Sequence, residues 1–181
     1  FTFKKDLMIK ENYVRKAIIA DALELAPKIR KGDREEIMAS EGISPLRALV
    51  TPFTYDNAKI YSIIGTKDEG VIGMFGSNPT QLPEYGVAWL LSSEKLFKHT
   101  KQFIKECPYW VSQMSEGYEY LYNFVDKRNW KSLKWLQFLG FEPKEELQQY
   151  GVGKMPFLLM MKETNKIDVR STSSPTSINS D

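Results

Sequence analysis

Residues 120–141 constrain the fold of this chain more than any other stretch. They open with aromatic and aliphatic residues in alternation, from Tyr120 through Leu121, Tyr122 and Phe124 to Val125, which is the pattern of a buried strand. Helical spacing takes over in Leu133, Leu136, Phe138 and Leu139 and ends before Gly140. The stretch therefore predicts a strand, a tight turn and a short helix. Asn129 stands where that helix begins, so its side chain is expected to cap free N–H groups, and Gly140 suits the left-handed turn that closes it. Phe141 then starts the next strand.

An Asn after the strand and a Gly-Phe pair after the helix, here Asn129 and Gly140-Phe141, resemble the last conserved strand and helix of the GNAT acyltransferase superfamily. The run Asn123-Phe124-Val125-Asp126-Lys127-Arg128-Asn129, followed by Trp135-Leu136 and Leu139-Gly140-Phe141, is similar to GNAT-like proteins of tailed bacteriophages, including the internal virion protein A of short-tailed phages. This resemblance implies an α+β, GNAT-like fold: a mixed, mostly antiparallel central sheet with helices on both faces. It also implies acetyl-CoA as co-substrate and an amine acceptor if the protein is active, with other virion proteins as partners in a phage setting. The implied location is the cytoplasm of an infected bacterial host, or the virion.

The order of elements supports this fold. Residues 13–19 read as a strand, and Asp21 sits near the start of a helix carrying Ala22, Leu25, Ala26 and Ile29, which Pro27 kinks or breaks. Asp33, with Glu36 three residues on, has the spacing of a capping box for a second helix, and Ser44-Pro45 starts a third. Three strands follow, over residues 58–64, 71–76 and 86–91, and Gly73 and Gly76 suggest a bulge or a close backbone approach. A long helix is expected from Ser93 to Pro108, with Leu96, Phe97, Thr100, Phe103 and Ile104 on one side and Lys95, Lys98, Lys101 and Lys105 on the other, and Tyr109 to Met114 as a stretch that can resume it. After residues 120–141, a final hairpin takes residues 146–151 and 155–161. The expected domain spans residues 13–162, after a charged lead-in of residues 1–12 and before a Ser/Thr-rich tail, residues 163–181, whose composition cannot bury apolar surface.

Composition narrows the function classes. Hydrophobic content of 42% suffices for a core, and 25 basic against 23 acidic residues is too balanced to argue for a nucleic-acid or membrane surface. No run approaches the ~18 apolar residues of a membrane span, and the first residues lack the apolar segment of a signal peptide. One cysteine, Cys107, excludes an internal disulfide framework, and one histidine, His99, leaves a transition-metal site little to build on, so no metal is expected. Trp110, Trp130 and Trp135 are expected to pack in the core or at a helix junction.

Carried over residue by residue, the resemblance places the cofactor at the end of the strand before the long helix, Leu90, Leu91 and Ser92, and at the helix start, Ser93 and Lys95. Asn129 matches the family asparagine that contacts the cofactor, with Ser132 beside it. Backbone N–H groups at a helix start suit the pyrophosphate. Two departures stand out. The loop Leu91-Ser92-Ser93-Glu94-Lys95-Leu96 has no glycine where the family closes the backbone around phosphate oxygens, and Leu136 replaces the tyrosine that protonates the leaving thiolate. Tyr120, Tyr122 and Cys107 are substitutes for that acid, each with a ready reading as packing, and Asp33, Glu36, Glu41 and Glu84 are the acids to consider as base. No catalytic residue is thereby assigned. Three readings stay open: an N-acetyltransferase with a degenerate pyrophosphate loop, an inactive GNAT-fold virion or assembly protein, and a small-molecule or nucleotide binding module without acyl transfer.

Overall fold

In the computed structural model, which describes residues 13–164, the chain opens with a short strand, β1 (Val14–Lys16). The expected lead-in, and residues 165–181 of the expected tail, lie outside the described residues. β1 is shorter than its apolar pattern because Asp21 accepts a hydrogen bond from the Ile18 N–H (3.0 Å) and starts helix α1 (Ile19–Leu25). At Pro27 the helix tightens into a 3-10 turn, Ala26–Lys28, as the proline predicts. α2 (Lys31–Ser40) begins ahead of Asp33, with Arg30 at its N-cap, so Asp33 is a buried residue of the first turn and not the expected cap. α3 (Pro45–Val50) is capped by Ser44, whose Oγ accepts from the Arg47 N–H at 3.2 Å.

The three expected strands are β2 (Lys59–Ile64), β3 (Val71–Pro79) and β4 (Tyr85–Ser92). Gly76 allows a close approach of β2, since a Cβ there would lie 1.9 Å from the Lys59 carbonyl oxygen. The long helix departs from expectation. Ser93 caps a 3-10 segment, Glu94–His99, and α4 (Thr100–Ser115) starts only afterwards. α4 also runs through Pro108, because Phe103, Cys107, Val111 and Met114, buried at helical spacing on either side, anchor it. A proline removes one backbone bond, and continuous burial of the opposite face outweighs that loss here.

β5 (Tyr120–Asp126), α5 (Trp130–Phe138), β6 (Glu142–Tyr150) and β7 (Met155–Glu163) complete the chain. Gly140 takes the expected left-handed conformation, with φ of +91°. The sheet order is β1-β2-β3-β4-β5-β7-β6, antiparallel everywhere except between β4 and β5. One core lies between the sheet and α4 and α5, and a second lies under α1, α2 and α3. The β6–β7 turn docks on the end of α2, where the Val152 and Gly153 N–H groups donate to the Ser40 and Ala39 carbonyls (3.2 and 2.9 Å). No helix among the described residues is long and apolar enough to cross a membrane.

Candidate active site

The parallel strands β4 and β5 pair over three positions only, Tyr85 with Tyr120, Gly86 with Leu121 and Val87 with Tyr122. Beyond these the strands diverge. Peptide groups of alternate residues point to the same edge of a strand, so the direction of each can be read from its neighbours. The Ser93 N–H donates to the Ile72 carbonyl on the β3 side, whereas the Ser92 N–H donates to Asp33 Oδ2 (3.1 Å) and the Ser92 carbonyl accepts from the Arg30 N–H (2.9 Å). Alternation therefore turns the peptide group of Leu90 toward the opening and that of Leu91 toward β3. On β5 the Asp126 N–H likewise faces the opening and donates to Glu36 Oε1 at 2.7 Å.

α2 fills the wide end of this V. Asp33 and Glu36, one turn apart on the same helix face, reach to β4 and β5 respectively. Arg30 Nη2 donates to Asp33 Oδ1 (2.5 Å), Asn129 Oδ1 (2.8 Å) and Ser132 Oγ (3.0 Å), while Asn129 Nδ2 donates to Asp33 (3.2 Å) and Glu36 (3.3 Å). Arg30, Asp33 and Asn129 are 8%, 1% and 3% exposed and form the buried part of the cluster, whereas Glu36 and Ser132 at its margins are half-buried. Gly32 leaves it room, since a Cβ there would come 2.8 Å from Arg30 Nη1. One guanidinium cannot neutralise two carboxylates so placed, one buried and one half-buried. Burial pushes Asp33 above the ordinary carboxyl range against the opposing pull of Arg30, and burial together with the charge of Asp33 pushes Glu36 up to about 8.

On the other face of the opening, a groove of about 370 Å³ runs between the 3-10 segment and α5. Phe97, Trp130, Lys131 and Lys134 line it, and Lys131 Nζ lies 4.1 Å from the Phe97 ring centroid. A deeper cavity of about 60 Å³ shares Leu90, Phe103, Ser132 and Trp135 with the groove. Trp135 packs edge-on against Phe103, with ring centroids 4.1 Å apart, and its indole N–H is buried without a hydrogen-bond partner among the described residues.

Of the residues singled out from the sequence, Leu90, Ser92 and Ser132 line the groove. Asn129 lies in the buried cluster, where its amide binds Arg30, Asp33 and Glu36 and makes no side-chain cap to α5, contrary to expectation. Leu91 is buried in the core under α1 and α3. The Ser93 N–H and Oγ both donate to the Ile72 carbonyl, and the Lys95 N–H donates to Ser93 Oγ. These N–H groups are thus already used, and the residue at the start of α4 that lines the groove is Thr100. Lys95 is exposed and lies outside the groove lining. Leu136 and Cys107 line the deeper cavity, and burial pushes the Cys107 thiol up to about 12. Tyr120 stacks on Tyr85, and Tyr122 packs edge-on against Phe124 across the sheet from Leu136. Of the four acids, Asp33 and Glu36 meet at the opening, while Glu41 and Glu84 are exposed elsewhere. Trp130 is exposed and not packed as expected, and His99 Nε2 lies 2.7 Å from Glu69 Oε2. Sequence reasoning missed Arg30, whose only signal is its place three residues before Asp33 and two before Gly32.

No protein-family model matches the chain, and no curated protein matches it. Solved structures do. A GCN5-related N-acetyltransferase from Kribbella flavida is 20% identical with a TM-score of 0.60 over 83% of this chain and 96% of its own. A ribosomal-protein-S5-alanine acetyltransferase from Vibrio fischeri is 19% identical with a TM-score of 0.60 over 84% and 92%, and a GNAT-family acetyltransferase from Bacillus anthracis is 12% identical with a TM-score of 0.62 over 84% and 95%. The chain has the GNAT fold. In GNAT terms the parallel, diverging β4 and β5 are its central pair, and the groove lies along their open side.

Proposed function

We propose that this GNAT-fold chain is an acyl-CoA-dependent N-acyltransferase, with acetyl-CoA the simplest donor. The observation that carries the reading is the position of Leu90, whose peptide group faces the opening beyond the last β4–β5 pair and whose side chain lines both the groove and the deeper cavity. Lys131 and Lys134 supply positive charge for the phosphates, and Phe97 and Trp130 offer ring faces to the adenine. The Leu90 N–H polarises the thioester carbonyl. A neutral amine then attacks the carbonyl carbon, a C–N bond forms, the C–S bond breaks, and the sulfur leaves with the electron pair.

Glu36 is the half-buried acid at the opening, and in its ionised form it receives the proton that the amine loses. Leu136 offers no proton, and the departing thiolate is protonated by water. A second reading, an inactive phage-type protein that uses the fold as a virion packing unit, draws support from Leu136 and from the closure of the wide end by α2.

Calorimetric titration with acetyl-CoA tests the first reading. Saturable binding that Lys131→Glu weakens by tenfold or more is the expected result, because the substitution reverses a half-buried charge of the groove lining and lies outside both core clusters. No binding at millimolar ligand overturns it in favour of the second reading.

A further inference from the structure

The deeper cavity is larger than an acetyl group requires. It holds about 60 Å³, where about 10–15 Å³ suffices for one water-sized group, so a chain of about four carbon atoms fits. Its wall is mainly apolar, with Phe75, Phe103, Leu121, Leu136 and Leu139 among the lining residues. An apolar space of this kind stays dry, and leaving it empty forfeits dispersion contacts with its lining. A hydrocarbon chain would restore them.

The cavity also opens onto the groove. Leu90, Phe103, Ser132 and Trp135 line both, so a ligand held in the groove can extend into the apolar space. An apolar space joined to a more polar groove beside Leu90 matches a hydrocarbon chain that ends in a carbonyl.

We infer that the acyl group this protein transfers is longer than acetyl, a chain of about four carbons seated in the cavity under α4 and α5, with its thioester oxygen at the Leu90 N–H. The inference rests on the acyl-CoA reading above and specifies its substrate class. Cys107 and Leu136, both on the cavity wall, set the chain length. The leucine found where the family resemblance leads one to expect a tyrosine then has a positive role, as an apolar wall.

The test is a titration series with CoA, acetyl-CoA, butyryl-CoA, hexanoyl-CoA and octanoyl-CoA. Affinity is expected to rise about fourfold per methylene, about 0.8 kcal/mol each, so that butyryl-CoA binds roughly 15-fold tighter than acetyl-CoA. It is expected to fall again by octanoyl-CoA. Cys107→Met, which adds bulk to the wall, should erase the butyryl preference. Equal affinity for acetyl- and butyryl-CoA, or a rise that continues through octanoyl-CoA, overturns the inference and leaves the acyltransferase reading intact. Failure of every CoA species to bind overturns both. Should the variant not fold, the series on the unaltered protein decides alone.

Discussion

The two halves of the β4–β5 opening are held together by different chemistry. At the root, residues 85–87 and 120–122 pair backbone to backbone, flanked by stacked Tyr85 and Tyr120 with ring centroids 5.0 Å apart. At the wide end the same two strands are joined through α2, where Asp33 receives the Ser92 N–H and Glu36 the Asp126 N–H. The root depends on a repeating pattern that tolerates changes of side chain. The wide end depends on particular side chains and on a buried charge balance, so it is the part of the fold that a single substitution or a pH change can open.

The largest expected effect follows from removing the anion beside Arg30. Asp33→Ala leaves a buried guanidinium without its carboxylate and the Ser92 N–H without an acceptor, and should cost about 3–5 kcal/mol in denaturant unfolding. A loss below 1 kcal/mol would mean that the wide end is no more dependent on individual side chains than the root. Next is Glu36, whose carboxyl titrates at an ordinary 4.5 when unfolded and near 8 when folded. The folded chain therefore binds the extra proton between these values, and stability should fall as pH rises from about 5 to 8, by on the order of 3 kcal/mol. Glu36→Gln should flatten that slope, and a wild-type profile that is already flat would refute the assignment. The smallest effect is at the root, where Tyr85→Leu should cost about 1 kcal/mol, the worth of an aromatic pair, with no change in pH dependence.

Much of the fold was legible in the sequence because its signals are local. Apolar runs bounded by turn formers marked β2 to β4, alternation marked β5, and Gly140 marked the end of α5. β6 was legible only in part. It starts at Glu142, four residues before the expected arm, because the strand is exposed over most of its length and its start is set by pairing with β7 and not by a pattern of its own. The charged cluster was not legible. Asp33 and Asn129 have the sequence context of helix caps, and nothing within ten residues of either shows that the other will lie within hydrogen-bond distance. Nor does the apolar spacing of α5 show that the Trp135 N–H would end without a partner.

The docking of α2 on the β6–β7 turn has a consequence for the order in which the molecule assembles. At one end the helix meets residues 126, 129 and 132, between 90 and 102 positions away along the chain, and at the other it meets Val152 and Gly153. Contacts so remote in sequence reward the chain only after long loops have closed. The strands can form early, but α2 has no place to settle until the last hairpin is present, so its junctions belong to the late side of the folding barrier. Weakening them should quicken unfolding far more than it slows folding. In the native protein the Ser92 and Asp126 amides should exchange with deuterium before those of Gly86 and Leu121.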